Sequence, residues 1–515
     1  MGVHRVARLQ ADPSFLDSRS TLEVVLILGL VAIAAVAVAV LAFRLRSRWL
    51  LAATLVLGVV QFFGPFGFTS VALLVTCALF PAAVWRSRRV LLGVRTGSTL
   101  WVWLLLALAV WQAIAVLWSE KLGSAAYPVI FAGAALTVFL LARDVIAHDA
   151  DGLPWAIAVV APLILVSALA VVAFRLFPGL EAHYLLSHTA TLFTEPDVVR
   201  ITEDEVLLAG DPVGQQGLFY DITVRPGAAG GMFAEILATT DPTGFQNVLA
   251  PDKSGGFFLN GNTAALFFAI TACVAAWAAL SARRRALHLV TLVASLVAVV
   301  ATGSKTALAL LIALPVAALF IAFWVRRPRL GTIIAAVIAV GVAAAVAVVA
   351  RVAPGAFHEG TLGDRLVLWR VVADAFPGRW FEGFGFGHWR NHIVAVWGHY
   401  FPDVATQTWP PHNLFLQAWV DAGIVALLLT IALVAVPLVA SVLRIAEARR
   451  GALLAAPTLR AGIVFVGLAW VLLHGLADTT TFLGDNHTAP FVAVLTALAL
   501  MPTRTDQPRA TEGSA

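Results

Sequence analysis

Between Gly363 and Asp421 the chain gathers groups able to act on an anionic substrate. The stretch opens GDRLVLWRVVADAFPGRWFEGFGFGHWRNH, and PPHNLFLQAWVDAG carries it into an apolar run. Its cations are Arg365, Arg370, Arg379 and Arg390; its imidazoles are His388, His392, His399 and His412. A guanidinium presents five donors in a planar fork that fits paired oxygens of phosphate or carboxylate. An imidazole exchanges a proton near neutral pH. Arg370 has Asp374 four residues ahead, at helical pairing distance, whereas Arg365 has no acid there and is the freer cation. His412 follows the stiff lead-in Trp409-Pro410-Pro411 and is expected as the first or capping residue of a helix. On that helix Asn413, Gln417 and Asp421 recur at i, i+4 and i+8, one polar stripe on an apolar span. His474 and Asp478, also four apart, are expected to pair with each other or pack against that stripe. His388, His392 and His399 have no acid at ligand spacing, so no metal site is expected.

Lys305 is a further candidate. It sits in ATGSKTALALL, where Gly303-Ser304-Lys305-Thr306 joins two apolar runs by a tight turn. An ammonium at a membrane boundary suits a lipid phosphate, although a lysine there can also snorkel to headgroups. Asp364–Phe376 reads as an interfacial amphipathic helix with Leu366, Trp369, Ala373 and Phe376 as its apolar stripe, ended by Pro377-Gly378. The alternation Gly383, Gly385, Gly387 lacks the preceding strand and spacing of a dinucleotide loop and is read as a structural turn. Asn260 and Asn262 precede another apolar run, with Asn262 expected as its cap.

These residues depend on a membrane scaffold. Of 515 residues, 60% are hydrophobic and 12% charged. Soluble domains run at about 45–50% and about 25%. Apolar runs at roughly 22–43, 49–63, 68–85, 100–118, 128–142, 154–176, 262–282, 288–303, 306–324, 331–350, 413–440, 461–477 and 488–502 are candidate spans. The turn Gly64-Pro65-Phe66-Gly67 allows the second and third to be one broken element, giving twelve rather than thirteen. The first run is too long for a cleaved signal peptide and is read as retained. Two cysteines inside apolar runs imply no disulfide framework. The net charge of +5 reflects topology-setting arginines, not nucleic-acid binding.

Arginine clusters after the first, third, seventh, ninth and eleventh runs orient the chain and turn two long polar loops outward. The expected organisation is an N-terminal bundle (1–177), an acidic extracytoplasmic loop or small subdomain (178–261), central helices (262–350), an extracytoplasmic catalytic loop (351–412), C-terminal helices (413–502) and a cytoplasmic tail (503–515). In the acidic loop, GLFYDITV suggests a short strand.

PPHNLFLQAWVDAGIVALLL resembles the His-Asn-x-(hydrophobic)-Leu-Gln/Glu…Gly signature of the O-antigen ligase and O-antigen polymerase superfamily. GDRLVLWRVVADAFPGRWFEGFGFGHW is similar to that family's Arg-x3-Trp followed by a Gly-x-Gly turn. ATGSKTALALL resembles its Thr-Gly-Ser-Arg-x-Ala-Leu turn, and FLNGNTAALFFA its Asn-containing span. The resemblance covers about 260–480. It implies an all-α polytopic membrane protein of GT-C type in the bacterial cytoplasmic membrane, with its active site on the outer side. Such an enzyme moves a glycan from an undecaprenyl-diphosphate-linked donor to a lipid or glycan acceptor, with inversion and without metal or cofactor. By motif position Arg365 would hold the diphosphate, Lys305 would stand where the family has arginine, and His412 would be the essential histidine. Asn413, Gln417, Asp421 and His474 are expected in support; Asp421 stands where many members have glutamate. A polysaccharide polymerase shares these motifs. A lipid-linked glycan flippase or secondary transporter is the alternative from another class, against which stands the absence of an internal repeat.

Overall fold

The computed structural model describes residues 21–61, 70–91, 97–119, 122–177, 180, 184, 253–258, 261–352, 360–402, 409–448, 452–478 and 485–501, together with five short strands between 199 and 238. Asn260, the Gly64–Gly67 turn, the C-terminal tail and most of the acidic loop lie outside the described residues.

The described chain is helical apart from those strands and short connecting turns. Eight helical stretches are long and apolar enough to cross a membrane, and five shorter apolar helices accompany them. Together they occupy the thirteen regions expected from the apolar runs. The chain is thus an all-α polytopic membrane protein in its apolar part. In the acidic segment, Val199–Ile201, Val206–Leu208 and Asp211–Pro212 form an antiparallel meander, and Ile222–Arg225 pairs with Glu235–Ala238 as a second antiparallel ribbon. The Ile222–Arg225 strand overlaps the end of the GLFYDITV segment.

The chain divides into two compact units. The first comprises residues 1–82, 154–312 and 482–490. Its described core is α8 (Gly261–Ser281), buried along most of its length and packed on α9 (Ala286–Ala301). At its edge, Gln61 ends α2 (Ser47–Val60) with a left-handed backbone, and its side-chain amide donates to the carbonyls of Gly58 and Asn486. Beside it, burial pushes the Asp485 carboxyl up to about 6 and the His487 imidazole down to about 4.

The second unit comprises residues 83–153, 313–481 and 491–515. Three helices build its apolar frame: α5 (Gly97–Ala115), α14 (Leu414–Glu447) and α15 (Ala456–Ala477), with α6 (Leu122–His148) against α5. In the region expected as a catalytic loop with one helix at Asp364–Phe376, two helices stand: α12 (Gly360–Arg379) and α13 (His388–Tyr400). The first is longer than expected. Pro377 lies inside its last turn, where a missing N–H costs one hydrogen bond and does not stop the helix. Leu368, Val371 and Val372 form its buried face, with Trp389, Ile393, Trp397 and Trp419 in the same cluster. Leu366, Ala373 and Phe376 of the expected stripe lie on the exposed side. With apolar residues on both sides of α12, periodicity alone does not say which side meets protein.

The apolar run 413–440 predicts one continuous span for α14. It is longer, and it is broken. Ala422 and Gly423 leave helical geometry directly after Asp421. A break exposes backbone groups that need partners. The turn 380–386 supplies them: the amides of Phe384 and Gly385 donate to Val420 O at 2.8 and 3.2 Å, and the amide of Ile424 donates to Phe381 O at 3.2 Å. The Trp111 indole donates to the carbonyl of Ala422 at 2.7 Å. At Gly383 (φ 69°) a Cβ would overlap the Trp419 carbonyl, and at Gly423 (φ 75°) the Phe381 carbonyl. The alternating glycines are therefore a structural turn, as expected, whose purpose is to let two backbones touch.

Candidate active site

The site residues of the second unit are positioned from the backbone outwards. Trp409-Pro410-Pro411 cannot donate from its prolines, but its carbonyls can accept. The Trp389 indole donates to Trp409 O at 2.9 Å and the Trp369 indole to Pro411 O at 3.0 Å. The Trp409 ring meets Trp397 edge-on, with centroids 5.2 Å apart. Two tryptophan donors and one aromatic nest thus hold the lead-in still.

His412 follows with φ 48°. A left-handed backbone is uncommon outside glycine and is retained where the surroundings enforce it. His412 is not the helix cap. That role belongs to Asn413, whose Oδ1 accepts from the amides of Phe415 and Leu416 at 2.9 and 3.2 Å. Asparagine satisfies two orphan amides there, and histidine is displaced just outside the helix. The Asn413 side chain also donates through Nδ2 to Leu476 O at 3.1 Å, joining the start of α14 to the end of α15.

That junction brings Asp478 to His412. His412 Nδ1 lies 3.7 Å from Asp478 Oδ1, and the carboxylate is almost wholly buried. The distance is too long for a hydrogen bond. His412 Nδ1 is itself enclosed and makes no hydrogen bond. The i, i+4 spacing of His474 and Asp478 points to a local pair or to packing against the Asn413–Gln417–Asp421 stripe; the His412 contact joins residues 66 apart. His474 is buried one turn before Asp478 on α15.

Arg365 is half-buried on α12 and forms no hydrogen bond or ion pair among the described residues. Trp369, four residues on and so on the same side of the helix, is the residue that reaches Pro411 next to His412. Arg370 stands near Asp374 at 3.8 Å, as its spacing implied, and Tyr400 also donates to Asp374. On α14, Gln417 donates to Asp421 at 2.8 Å, so the polar stripe is real and partly paired with itself.

The other histidines disperse. His392 lies against the Phe384 ring, which also carries the Arg379 guanidinium at 5.0 Å. Burial, and then Arg379, hold the His392 imidazole below its ordinary value. His399 packs edge-on against Tyr400. No group of three metal-ligating side chains occurs among the described residues.

Lys305 belongs to the first unit. It is the first residue of α10 (Lys305–Arg326) and is exposed. Its turn is held by Gly303 (φ 70°) and by the Ser304 hydroxyl, which donates to Asn262 Oδ1 at 2.9 Å. Asn262, expected as a cap, stands inside the first turn of α8 because that helix begins at Gly261. It fastens the Lys305 turn instead.

With this geometry in view, comparison with known proteins bears on the chain. Residues 289–431 match the O-antigen ligase family. The matched stretch contains Lys305, Arg365, His412, Asn413, Gln417 and Asp421, and leaves out Asn262, His474 and Asp478. It supports a ligase- or polymerase-type role in polysaccharide biogenesis at a membrane. No curated protein matches the chain.

Proposed function

We propose that the protein transfers a glycan from a polyprenyl-diphosphate donor to an acceptor hydroxyl on the outer leaflet, in the manner of an O-antigen ligase. The observation that carries this reading is His412. It is held in a left-handed backbone conformation between a tryptophan-fixed lead-in and an asparagine cap, 3.7 Å from a buried carboxylate. A lipid diphosphate is already a good leaving group, so the protein needs a cation for the departing charge and a base for the nucleophile. The half-buried Arg365 guanidinium, without a protein partner among the described residues, suits the diphosphate. With its Nδ1–H toward Asp478, His412 leaves Nε2 to accept the acceptor's proton. The acceptor oxygen bonds to the anomeric carbon, the carbon–oxygen bond to the diphosphate breaks, and the lipid diphosphate departs carrying that electron pair. Direct displacement inverts the anomeric centre. Asp478 acts through His412, and Gln417 and Asp421 shape the start of α14 beneath it.

Lys305 is proposed as a phosphate-binding cation on the strength of the family match and its exposed place at the start of α10. It keeps the charge of the family's arginine without its fork. The test is transfer by purified protein in detergent from a synthetic polyprenyl-diphosphate glycan. Native protein forms a new glycosidic bond and His412→Ala does not. A folded His412→Ala protein with full transfer removes His412 from the reaction, and movement of donor without bond formation would instead favour a flippase.

A further inference from the structure

The α6 helix carries a second unpaired guanidinium, remote in sequence from the motifs above. Arg143 lies in a membrane-spanning stretch (Pro128–His148) and is only 9% exposed. Its Nε and Nη1 atoms are enclosed and make no hydrogen bond. Arg143 makes no ion pair among the described residues. A buried charge without a partner is costly, and intramembrane cations are normally balanced. The nearest acid in sequence, Asp144, is engaged by its neighbours. His148 Nδ1 lies 3.2 Å from its carboxylate, and it attracts Arg86.

The depth of Arg143 can be read from α4 (Phe80–Leu91). The Ser87 hydroxyl donates to Leu140 O at 3.3 Å, which sets Ser87 level with Leu140. Arg143 is one turn further towards the end of α6, about 4.5 Å along the axis. On α4, Trp85 is 58% exposed and carries the Arg88 guanidinium 4.2 Å above its ring. Exposed tryptophan with arginine marks the headgroup level of a membrane. The same helix end belongs to the side that the arginine clusters assign to the cytoplasm. Arg86, Arg88 and Arg143 thus share one level with a single engaged carboxylate.

We propose that Arg143 binds the phosphate of an anionic glycerophospholipid headgroup at the cytoplasmic boundary, beside the Ser87–Leu140 contact of α4 with α6. The lipid phosphodiester supplies acceptor oxygens to the guanidinium through Nη2, the nitrogen that is not enclosed, and Arg86 adds positive potential beside it. This inference does not rest on the glycan-transfer reading.

The test uses full-length protein purified in detergent and stripped of lipid. Melting is followed while dioleoylphosphatidylglycerol, dioleoylphosphatidylcholine or inorganic phosphate is added. Phosphatidylglycerol should raise the melting temperature and phosphatidylcholine should do so weakly. Arg143→Met, which keeps the apolar stem, should need about tenfold to hundredfold more phosphatidylglycerol for the same rise, the loss of one charge-assisted contact. Arg143→Lys should fall between the two, and Arg284→Gln, an exposed arginine of the other unit, should leave the midpoint unchanged. Absence of a phosphatidylglycerol response in the native protein overturns the proposal. So does an unchanged midpoint in Arg143→Met, or in Arg143→Lys if the methionine variant does not fold. An equal weakening by Arg284→Gln would show diffuse charge, not a site. An equal response to inorganic phosphate would show a small-anion site and overturn the lipid assignment.

Discussion

Replacing Asp478 by asparagine keeps the shape at the end of α15 and removes one charge 3.7 Å from His412. During transfer His412 gains a proton and becomes a cation, so the carboxylate acts mainly on the transition state. At 3.7 Å, two unit charges attract by about 4.5 kcal/mol at an effective dielectric of about 20, and by about 1.1 kcal/mol in water. His412 is partly exposed and Asp478 almost wholly buried, so the value falls between. The expected outcome is a loss of roughly 10- to 1000-fold in kcat, at about 1.4 kcal/mol per factor of ten. The assay is steady-state transfer from a synthetic polyprenyl-diphosphate glycan, with donor KM determined separately and melting checked for each variant. Donor KM should stay near native, because Asp478 does not touch the donor in this scheme, and Asp478→Glu should recover part of kcat. In the His412→Ala background, Asp478→Asn should cost little more, since the carboxylate acts through the imidazole. The reasoning is refuted if Asp478→Asn leaves kcat within about twofold of native, or if it costs the same factor with and without His412.

Arg365→Ala should cost about 1.5–3 kcal/mol in donor binding or transfer, the worth of a charge-assisted contact, while melting stays close to native because no described partner is lost; a marked fall in melting temperature would reveal a structural arginine. Gly423→Ala should destabilise by more than the roughly 1–3 kcal/mol of left-handed strain, since the new methyl meets the Phe381 carbonyl, and thermal melting would show it. Trp111→Phe strips the Ala422 carbonyl of its donor and should cost about 1–3 kcal/mol by the same measurement. Asp485 and His487 oppose each other in acid. The raised Asp485 carboxyl, at about 6, gives stability that fades as pH rises through that value, whereas the lowered His487 imidazole, at about 4, gives a folded state that loses stability as pH falls from about 6.5 towards 4. Asp485→Asn should therefore leave the histidine slope alone, about 1.4 kcal/mol per pH unit, and melting should rise from pH 4 to 6.5 more steeply than in native protein.

Much of the membrane frame is legible because long apolar runs admit few structures: among the described residues each run is an apolar helix, eight of them long enough to cross a membrane and five shorter. The polar stripe Asn413–Gln417–Asp421 was legible for the same reason, since helical spacing is local. What escaped was non-local. The indoles of Trp369 and Trp389 hold carbonyls 42 and 20 residues away, and no periodicity announces that. The i, i+4 spacing of His474 and Asp478 is local and so legible, while the approach of Asp478 to His412 needs α14 and α15 to be joined through Asn413 and Leu476. His412 and Asn413 are adjacent, and sequence alone gave no reason to prefer one as the cap. The choice follows from side-chain reach: asparagine's short amide returns to Phe415 and Leu416.

The break in α14 has a mechanical meaning. A continuous 34-residue helix would couple the His412 end to the far side of the membrane like a stiff rod. At Ala422–Gly423 that rod is cut and spliced to the turn 380–386. The two turns from Leu414 to Asp421 are fastened to that turn at Val420 and the span beyond the break is fastened to it at Ile424, so one backbone loop holds both pieces. A pull on either piece of α14 is therefore shared with the turn 380–386, which keeps the polar stripe registered against that turn.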